Sequence, residues 1–111
     1  MKLSDYQREA RRTLTMPADP SPLLLAVIGL GLAGEAGEVV ELIKKHVGHG
    51  HDLDAREVKK ELGDVLWYLA GVASLLGLNL DDIAHSNIEK LKARYPEGFK
   101  HEASRNRTEG V

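Results

Sequence analysis

The stretch LLLAVIGLGLAGEAGEVV, residues 23–40, decides the fold of this chain. It is apolar or glycine at every position except Glu35 and Glu38, which are three residues apart. A helix that is apolar on all sides is normally buried on all sides, whereas charged carboxylates are almost never fully buried unless they are paired or bound to a cation. The stretch therefore predicts a central helix that brings two acids to a core position.

A second stretch, KKELGDVLWYLA at residues 59–70, repeats this arrangement with Glu61 and Asp64. Residues three apart on a helix are neighbours, so two facing helices could place four carboxylates around one cavity. Such a ligand set selects hard ions such as Mg²⁺ or Mn²⁺, and Mg²⁺ commonly bridges to substrate phosphates. A di-iron bundle would need Glu-x-x-His pairs, which are absent here. Spacing alone fits a solvated acidic face equally well.

Start and stop signals predict four helices and no strand, which is an all-α fold resembling a four-helix bundle. Ser4 is predicted to cap a first helix that runs to about Leu14, before a proline-rich break at residues 16–22. The second helix is expected from Pro22 to about Val47, before Gly48-His49-Gly50. The third begins with an Asp54 and Glu57 capping box and runs to about Leu76, before Gly77. The fourth begins with Asn79 and Asp82 and runs to about Arg94, before Pro96.

Length and composition narrow the class of protein. The 111 residues predict one domain spanning 1–111, with a mobile polar tail at 100–111. The absence of cysteine excludes a disulfide framework and suits the cytoplasm. A net charge of -2 argues against a nucleic-acid partner. The apolar run Leu23 to Ala33 is shorter than the roughly 20 residues of a membrane span, so no membrane partner is expected.

Apolar side chains cover more than one side of the second and third predicted helices. A chain of this size cannot bury both helices completely, so we expect a homodimer or homotetramer. Glycines in the second helix would permit close backbone approach. They are Gly29, Gly31, Gly34 and Gly37.

Three blocks of the sequence together resemble one family. GLAGEAGEVVELIKK (31–45), KKELGDVLWYLA (59–70) and NIEKLKARYPEGF (87–99) are similar to the signature blocks of the MazG-like, all-α nucleoside triphosphate pyrophosphohydrolases. The resemblance covers residues 23–99. One position departs from it: many relatives have two glutamates at the start of the first block, where this chain has Gly34, and this leaves the number of metal ions open.

The resemblance implies Mg²⁺-dependent hydrolysis of nucleoside or deoxynucleoside triphosphates to a nucleoside monophosphate and pyrophosphate, as nucleotide-pool housekeeping. Glu35, Glu38, Glu61 and Asp64 match the family's metal ligands and catalytic acids, and one of the first pair would orient or deprotonate the attacking water. Metal-assisted hydrolysis of this kind needs no protein nucleophile.

Other side chains are candidates for contact with substrate. Asn87, Lys90 and Arg94 recur on one helix face and match the family's Asn-x-x-Lys-x-x-x-Arg block, although a basic last turn also complements the helix dipole. Trp67 and its neighbour Tyr68 could stack on a base or merely pack. Lys45, with Lys44, is a weaker candidate. The histidines at 46, 49 and 51 are expected to be solvated loop residues.

Two alternatives remain open from the sequence. One is a phosphoribosyl-ATP pyrophosphohydrolase, which would use similar acids on a different nucleotide. The other is a non-catalytic helical oligomerisation module whose acids bind only a structural cation or solvent.

Overall fold

A computed structural model describes residues 1–15, 21–98, 101 and 105. This part of the chain contains four α-helices and no strand: α1 (Leu3–Arg11), α2 (Pro22–His49), α3 (Ala55–Leu75) and α4 (Leu80–Arg94). The prediction of an all-α fold with four helices is confirmed. Residues 16–20 of the proline-rich break, and all of the predicted tail except residues 101 and 105, lie outside the described residues.

Helices α2, α3 and α4 begin where the sequence predicts, and each has a side-chain cap; the cap of α2, Ser21, was not predicted. At each start, a side-chain oxygen accepts a hydrogen bond from a backbone N–H of the first turn, which satisfies a donor that the helix itself leaves unpaired. The bonds run from Leu24 to Ser21 at 3.2 Å, from Arg56 to Asp54 at 2.9 Å and from Asp81 to Asn79 at 2.7 Å.

The boundaries of α1 differ from the prediction. The helix begins at Leu3, with Lys2 instead of Ser4 at the N-cap, and the Lys2 backbone N–H donates to Asp5 at 2.9 Å. It ends at Arg11 instead of Leu14, because the next amides bond to carbonyls three residues back and form a tighter turn.

The other helix ends depend on glycine. Helix α2 continues through Gly48 to His49, and Gly50 stops it with a φ of 70°. After α3, Gly77 also has a φ of 70°, as the predicted stop requires. Glycine adopts this left-handed conformation without steric cost, which is why it commonly follows the last turn of a helix.

Helices α2 and α3 form the main packed pair, α1 lies against α3, and α4 packs mainly on α1. Gly71 allows close packing in the first pair, since an added Cβ would lie 3.0 Å from Ile28 Cγ2. A small buried cluster of Ala70, Ala73 and Leu80 joins α3 to the start of α4. Within the described residues, few large side chains are buried.

Gln7 ties α1 to the turn between α3 and α4. Its side-chain amide donates to the Leu78 carbonyl at 2.9 Å and to Ser74 Oγ at 3.1 Å. Its carbonyl oxygen accepts the backbone N–H of Leu80 at 2.8 Å. One side chain therefore satisfies three polar groups at the sharp change of direction before α4.

Helix α2 is long and apolar enough to cross a membrane when only length and composition are considered. The 28-residue helix is much longer than the apolar run from Leu23 to Ala33, whose length predicted no membrane span. Only 6% of its most apolar 18-residue window is buried within the chain. The exposed surface of α2 is therefore a prominent feature of this structure.

Candidate metal centre

Three carboxylates from α2 and α3 come together on the seam between these helices. Glu35, Glu61 and Asp64 each offer an oxygen atom, and these oxygens all lie within 4.8 Å of one another. Glu61 and Asp64 are three residues apart on α3, so they share one face, and the packing of α2 places Glu35 opposite them. We call this group the acidic cluster.

The protonation of Glu35 reflects this crowding. Burial raises the pKa of the Glu35 carboxyl above its ordinary value of 4.5, and a hydrogen bond that the protonated group donates to Glu61 raises it further. The negative charges of Asp64, Glu61 and Glu38 act in the same direction. Like charges brought together favour the neutral form of one member unless a cation joins them.

The acidic cluster fits a divalent metal ion. Its donor set consists of carboxylate oxygens alone, which is the set that Mg²⁺ and Mn²⁺ prefer. Of the residues that the structure describes, no lysine or arginine forms an ion pair with these three acids. The cluster therefore has uncompensated negative charge and the coordination chemistry to hold a hard cation.

Glu38, the fourth predicted acid, lies outside the cluster. It is exposed on α2, although its charge contributes to the raised pKa of Glu35. The sequence predicted convergence of all four carboxylates, and within one chain the structure brings three together. Glu38 is three residues from Glu35, so the two side chains are neighbours on the surface of α2.

The predicted substrate residues Asn87, Lys90 and Arg94 are not among the side chains of the acidic cluster. Asn87 is exposed, and Lys90 and Arg94 are partly exposed, on a helix that packs mainly on α1. Lys45 is remote from the acidic cluster. It pairs with Glu41 at 4.0 Å, and it lies about 15 Å from Glu35 along α2, at roughly 1.5 Å per residue.

Trp67 has a structural partner instead of a place in the cluster. Its indole N–H donates to Thr13 Oγ1 at 2.7 Å, which joins α3 to the chain just after α1. Tyr68 packs edge-on against Trp67, with ring centroids 5.0 Å apart, and faces the other way onto Gly31 of α2. Tyr68 is four residues after Asp64, and Gly31, which it approaches, is four residues before Glu35, so this tyrosine borders the acidic cluster.

Tyr6 is a neighbour of the acidic cluster that the sequence did not predict. Burial raises the pKa of the Tyr6 phenol above its ordinary value of 10.0, and the charge of Asp64 raises it further. The phenol and the carboxylate therefore interact electrostatically. Tyr6 lies on α1 and packs against the buried cluster at the end of α3. Nothing in the spacing of the sequence links these two positions, because they meet only through the packing of α1 on α3.

His46, His49 and His51 are exposed, as expected, but the prediction that all three lie in a loop is wrong, because α2 extends through His46 and His49 and only His51 lies in the connection to α3. His46 Nδ1 lies 2.7 Å from the His51 carbonyl oxygen, and the His49 and His51 rings meet edge-on at 6.5 Å. These contacts shape the turn at the far end of α2 and place no imidazole in the acidic cluster.

Comparison with known proteins agrees with this geometry. The chain is 33% identical over 87 residues to the Gene 37 protein of Mycobacterium phage L5, a match covering 75% of this chain and 76% of the phage protein. No solved structure matches it. The profile of the MazG nucleotide pyrophosphohydrolase domain matches residues 26–99, which contain the acidic cluster and all of α3 and α4. The chain therefore belongs to the MazG nucleotide pyrophosphohydrolase family.

Proposed function

We propose that this protein hydrolyses nucleoside or deoxynucleoside triphosphates to a nucleoside monophosphate and pyrophosphate in a Mg²⁺-dependent reaction, with Mn²⁺ as a possible substitute. The observation that carries the proposal is the acidic cluster: three carboxylate oxygens within 4.8 Å on the seam between α2 and α3, in a chain of the MazG family. A non-catalytic module that holds only a structural cation with these carboxylates would release no pyrophosphate, so product analysis distinguishes the two functions.

The protein's own groups have distinct roles in this proposal. Glu35, Glu61 and Asp64 would hold the cation and thereby position the triphosphate. Glu38, which is exposed beside the cluster, is free to orient a water molecule or accept its proton. When bound, the divalent ion supplies neutralisation of phosphate charge and activation of water. Tyr68, on the same seam, would line the space beside the phosphates.

We further propose that the protein works in the cytoplasm as a homodimer or homotetramer, in nucleotide-pool housekeeping, without a nucleic-acid or membrane partner. The lack of cysteine supports a cytoplasmic location, and the net charge of -2 supports the absence of a nucleic-acid partner. The exposed apolar surface of α2 supports self-association.

Pyrophosphate release tests the function. The purified protein is assayed with Mg²⁺ against the ribonucleotides, the deoxynucleotides and phosphoribosyl-ATP, and products are identified after reaction in ¹⁸O-labelled water. We expect Glu61→Gln and Glu38→Gln to keep the helical content and to abolish turnover. Glu41→Gln, on the same helix but in a surface ion pair, is the matched control and should retain activity. Unchanged pyrophosphate release by Glu61→Gln would exclude this assignment of the site.

A further inference from the structure

Three histidines lie close together where α2 ends and the chain turns toward α3. His46 and His49 are three residues apart in the last turn of α2, so they are neighbours on its surface, and His51 follows the helix stop at Gly50. All three histidines are exposed. His46 lies roughly 16 Å from Glu35 along α2, at about 1.5 Å per residue. This group, which we call the histidine cluster, is therefore separate from the acidic cluster.

The turn after α2 brings His51 back toward the helix. Gly50 has a φ of 70°, a left-handed conformation that residues with a side chain rarely adopt, and the His51 backbone N–H donates to the Lys45 carbonyl at 3.1 Å. The chain therefore folds over the end of α2 instead of leading away from it. The sequence predicted three solvated loop residues, whereas this turn sets one loop histidine against two helical ones.

His46 has the hydrogen-bonding pattern of a metal-binding histidine. Its Nδ1 lies 2.7 Å from the His51 carbonyl oxygen, and a carbonyl only accepts hydrogen bonds, so Nδ1 carries the proton. In the neutral imidazole, Nε2 then has the free lone pair. Histidines that bind a metal ion almost always donate their other ring N–H to a carbonyl, a carboxylate or water, which fixes the tautomer and the orientation of the ring.

The His49 and His51 rings are close to the separation that a shared metal ion requires. Their centroids are 6.5 Å apart, and the rings are edge-on to each other. An ion about 2.0–2.1 Å from a ring nitrogen lies roughly 3.2 Å from the ring centre, so two imidazoles on one tetrahedral ion have centres roughly 5 Å apart. Exposed side chains can close this difference by rotation about their own bonds.

The surroundings of the histidine cluster favour a cation. The carbonyl end of a helix carries partial negative charge, and the cluster lies at that end of the 28-residue α2. Asp52, which is exposed and follows His51, offers a carboxylate. Lys44 and Lys45 oppose this effect, but Lys45 pairs with Glu41 at 4.0 Å. Imidazoles with one carboxylate form a ligand set that suits Zn²⁺, whereas Mg²⁺ prefers oxygen ligands alone.

We propose that the histidine cluster binds one transition-metal ion of the Zn²⁺ type through His46 Nε2 and one ring nitrogen each of His49 and His51, with Asp52 in the remaining position. This is a second metal site, which differs from the acidic cluster in its ligands and in its place in the fold. The bound ion joins the last turn of α2 to the connection that leads to α3. The inference is independent of the proposed function, because it concerns binding of the metal ion alone.

Calorimetric titration of Zn²⁺ tests the site, with protein purified without a polyhistidine tag and with saturating Mg²⁺ present. We expect one histidine-dependent Zn²⁺ per chain. His49→Asn should weaken its binding at least about tenfold, since loss of even an outer-shell partner costs about 10–100-fold in metal affinity. His85→Asn, exposed on α4, is the matched control and should bind like the wild-type protein. Equal affinity in His49→Asn, or loss of this Zn²⁺ in Glu61→Gln, would overturn the proposal.

Two glycine variants test whether the turn after α2 builds the site. Gly50→Ala keeps every histidine but strains the left-handed conformation, so it should weaken Zn²⁺ binding by about fivefold or more. Gly48→Ala lies within α2, where no described atom is within 4 Å of the added Cβ, and this matched control should bind Zn²⁺ like the wild-type protein. Equal Zn²⁺ affinity of the two variants would indicate a flexible histidine tract instead of a built site and would overturn the proposal.

Discussion

Gly31 sets the separation of α2 and α3, and Gly31→Ala should disturb both stability and metal binding. A Cβ at this position would lie 2.5 Å from Tyr68 Cδ1 and 2.6 Å from Cζ, and closer still to Cε1. Ordinary carbon contacts are about 3.5–4.0 Å, so the tyrosine ring must recede by roughly 1–1.5 Å. Because the ring is packed against Trp67, this movement pushes the two helices apart.

The magnitude follows from two opposing effects. Overpacking of this kind costs about 1–3 kcal/mol, and the overlap here favours the upper end, whereas alanine gains about 1 kcal/mol over glycine as a helix former. We expect Gly31→Ala to lower the free energy of unfolding by about 2 kcal/mol. Gly29→Ala is the matched control: no described atom lies within 4 Å of its Cβ, so it should raise stability by up to about 1 kcal/mol.

Urea unfolding followed by circular dichroism, at one protein concentration, measures both variants. A double-mutant cycle identifies the cause, because in a Tyr68→Ala background the Gly31→Ala change should become as favourable as Gly29→Ala. Gly31→Ala should also reduce the increase in melting temperature that Mg²⁺ produces, since Gly31 is one turn from Glu35. Equal stability of the Gly31→Ala and Gly29→Ala proteins would refute the reasoning.

Three further predictions concern the tie to α4, the tryptophan and the acidic cluster. Gln7→Ala should lower the free energy of unfolding, measured in urea, by about 1–3 kcal/mol, because it leaves polar groups at the α3–α4 turn unpaired. The control Glu9→Gln, on the exposed side of α1, should change it by less than about 1 kcal/mol. Trp67→Phe should lower the free energy of unfolding by about 1 kcal/mol, because it removes the bond from the indole N–H to Thr13, and should leave the KM for nucleotide unchanged. A large rise in KM would show that Trp67 contacts the substrate. The pKa of Glu35 is raised in the folded protein, so in the metal-free protein this group stabilises the fold at pH values below its ordinary pKa of 4.5, and the stabilisation is lost as pH rises through the higher folded pKa. The increase in melting temperature that Mg²⁺ produces should therefore grow as pH rises above 4.5, and Glu35→Gln should remove this pH dependence.

Much of the local structure could be predicted because its causes are local. Ser21, Asp54 and Asn79 cap helices within two or three residues of themselves, and Gly50 and Gly77 stop helices through their own backbone conformation. The exception is α1, where Lys2 and Asp5 form the first turn in place of the expected Ser4 cap. A short, polar helix offers several competing starts, and the bond from the Lys2 N–H to Asp5 marks the one that forms.

The candidate site could be predicted only in part. Spacing of three residues places Glu61 and Asp64 on one face whatever surrounds them, and it does the same for Glu35 and Glu38. It does not fix how α2 is rotated against α3, and that rotation brings Glu35 to the seam and leaves Glu38 at its edge. Three residues, less than one helical turn, separate the candidate metal ligand Glu35 from the exposed carboxylate of Glu38.

The sequence alone determined an all-α chain with two acid-bearing apolar helices, because period, caps and glycine stops act within a turn or two of the residues that encode them. Only the tertiary structure decided that Gly31, and not Gly34 or Gly37, lies against Tyr68, that Trp67 bonds to Thr13, and that α4 makes an angle of 102° with α3. Those outcomes depend on the angle and rotation between helices, which are set by the summed packing of residues distant in the chain.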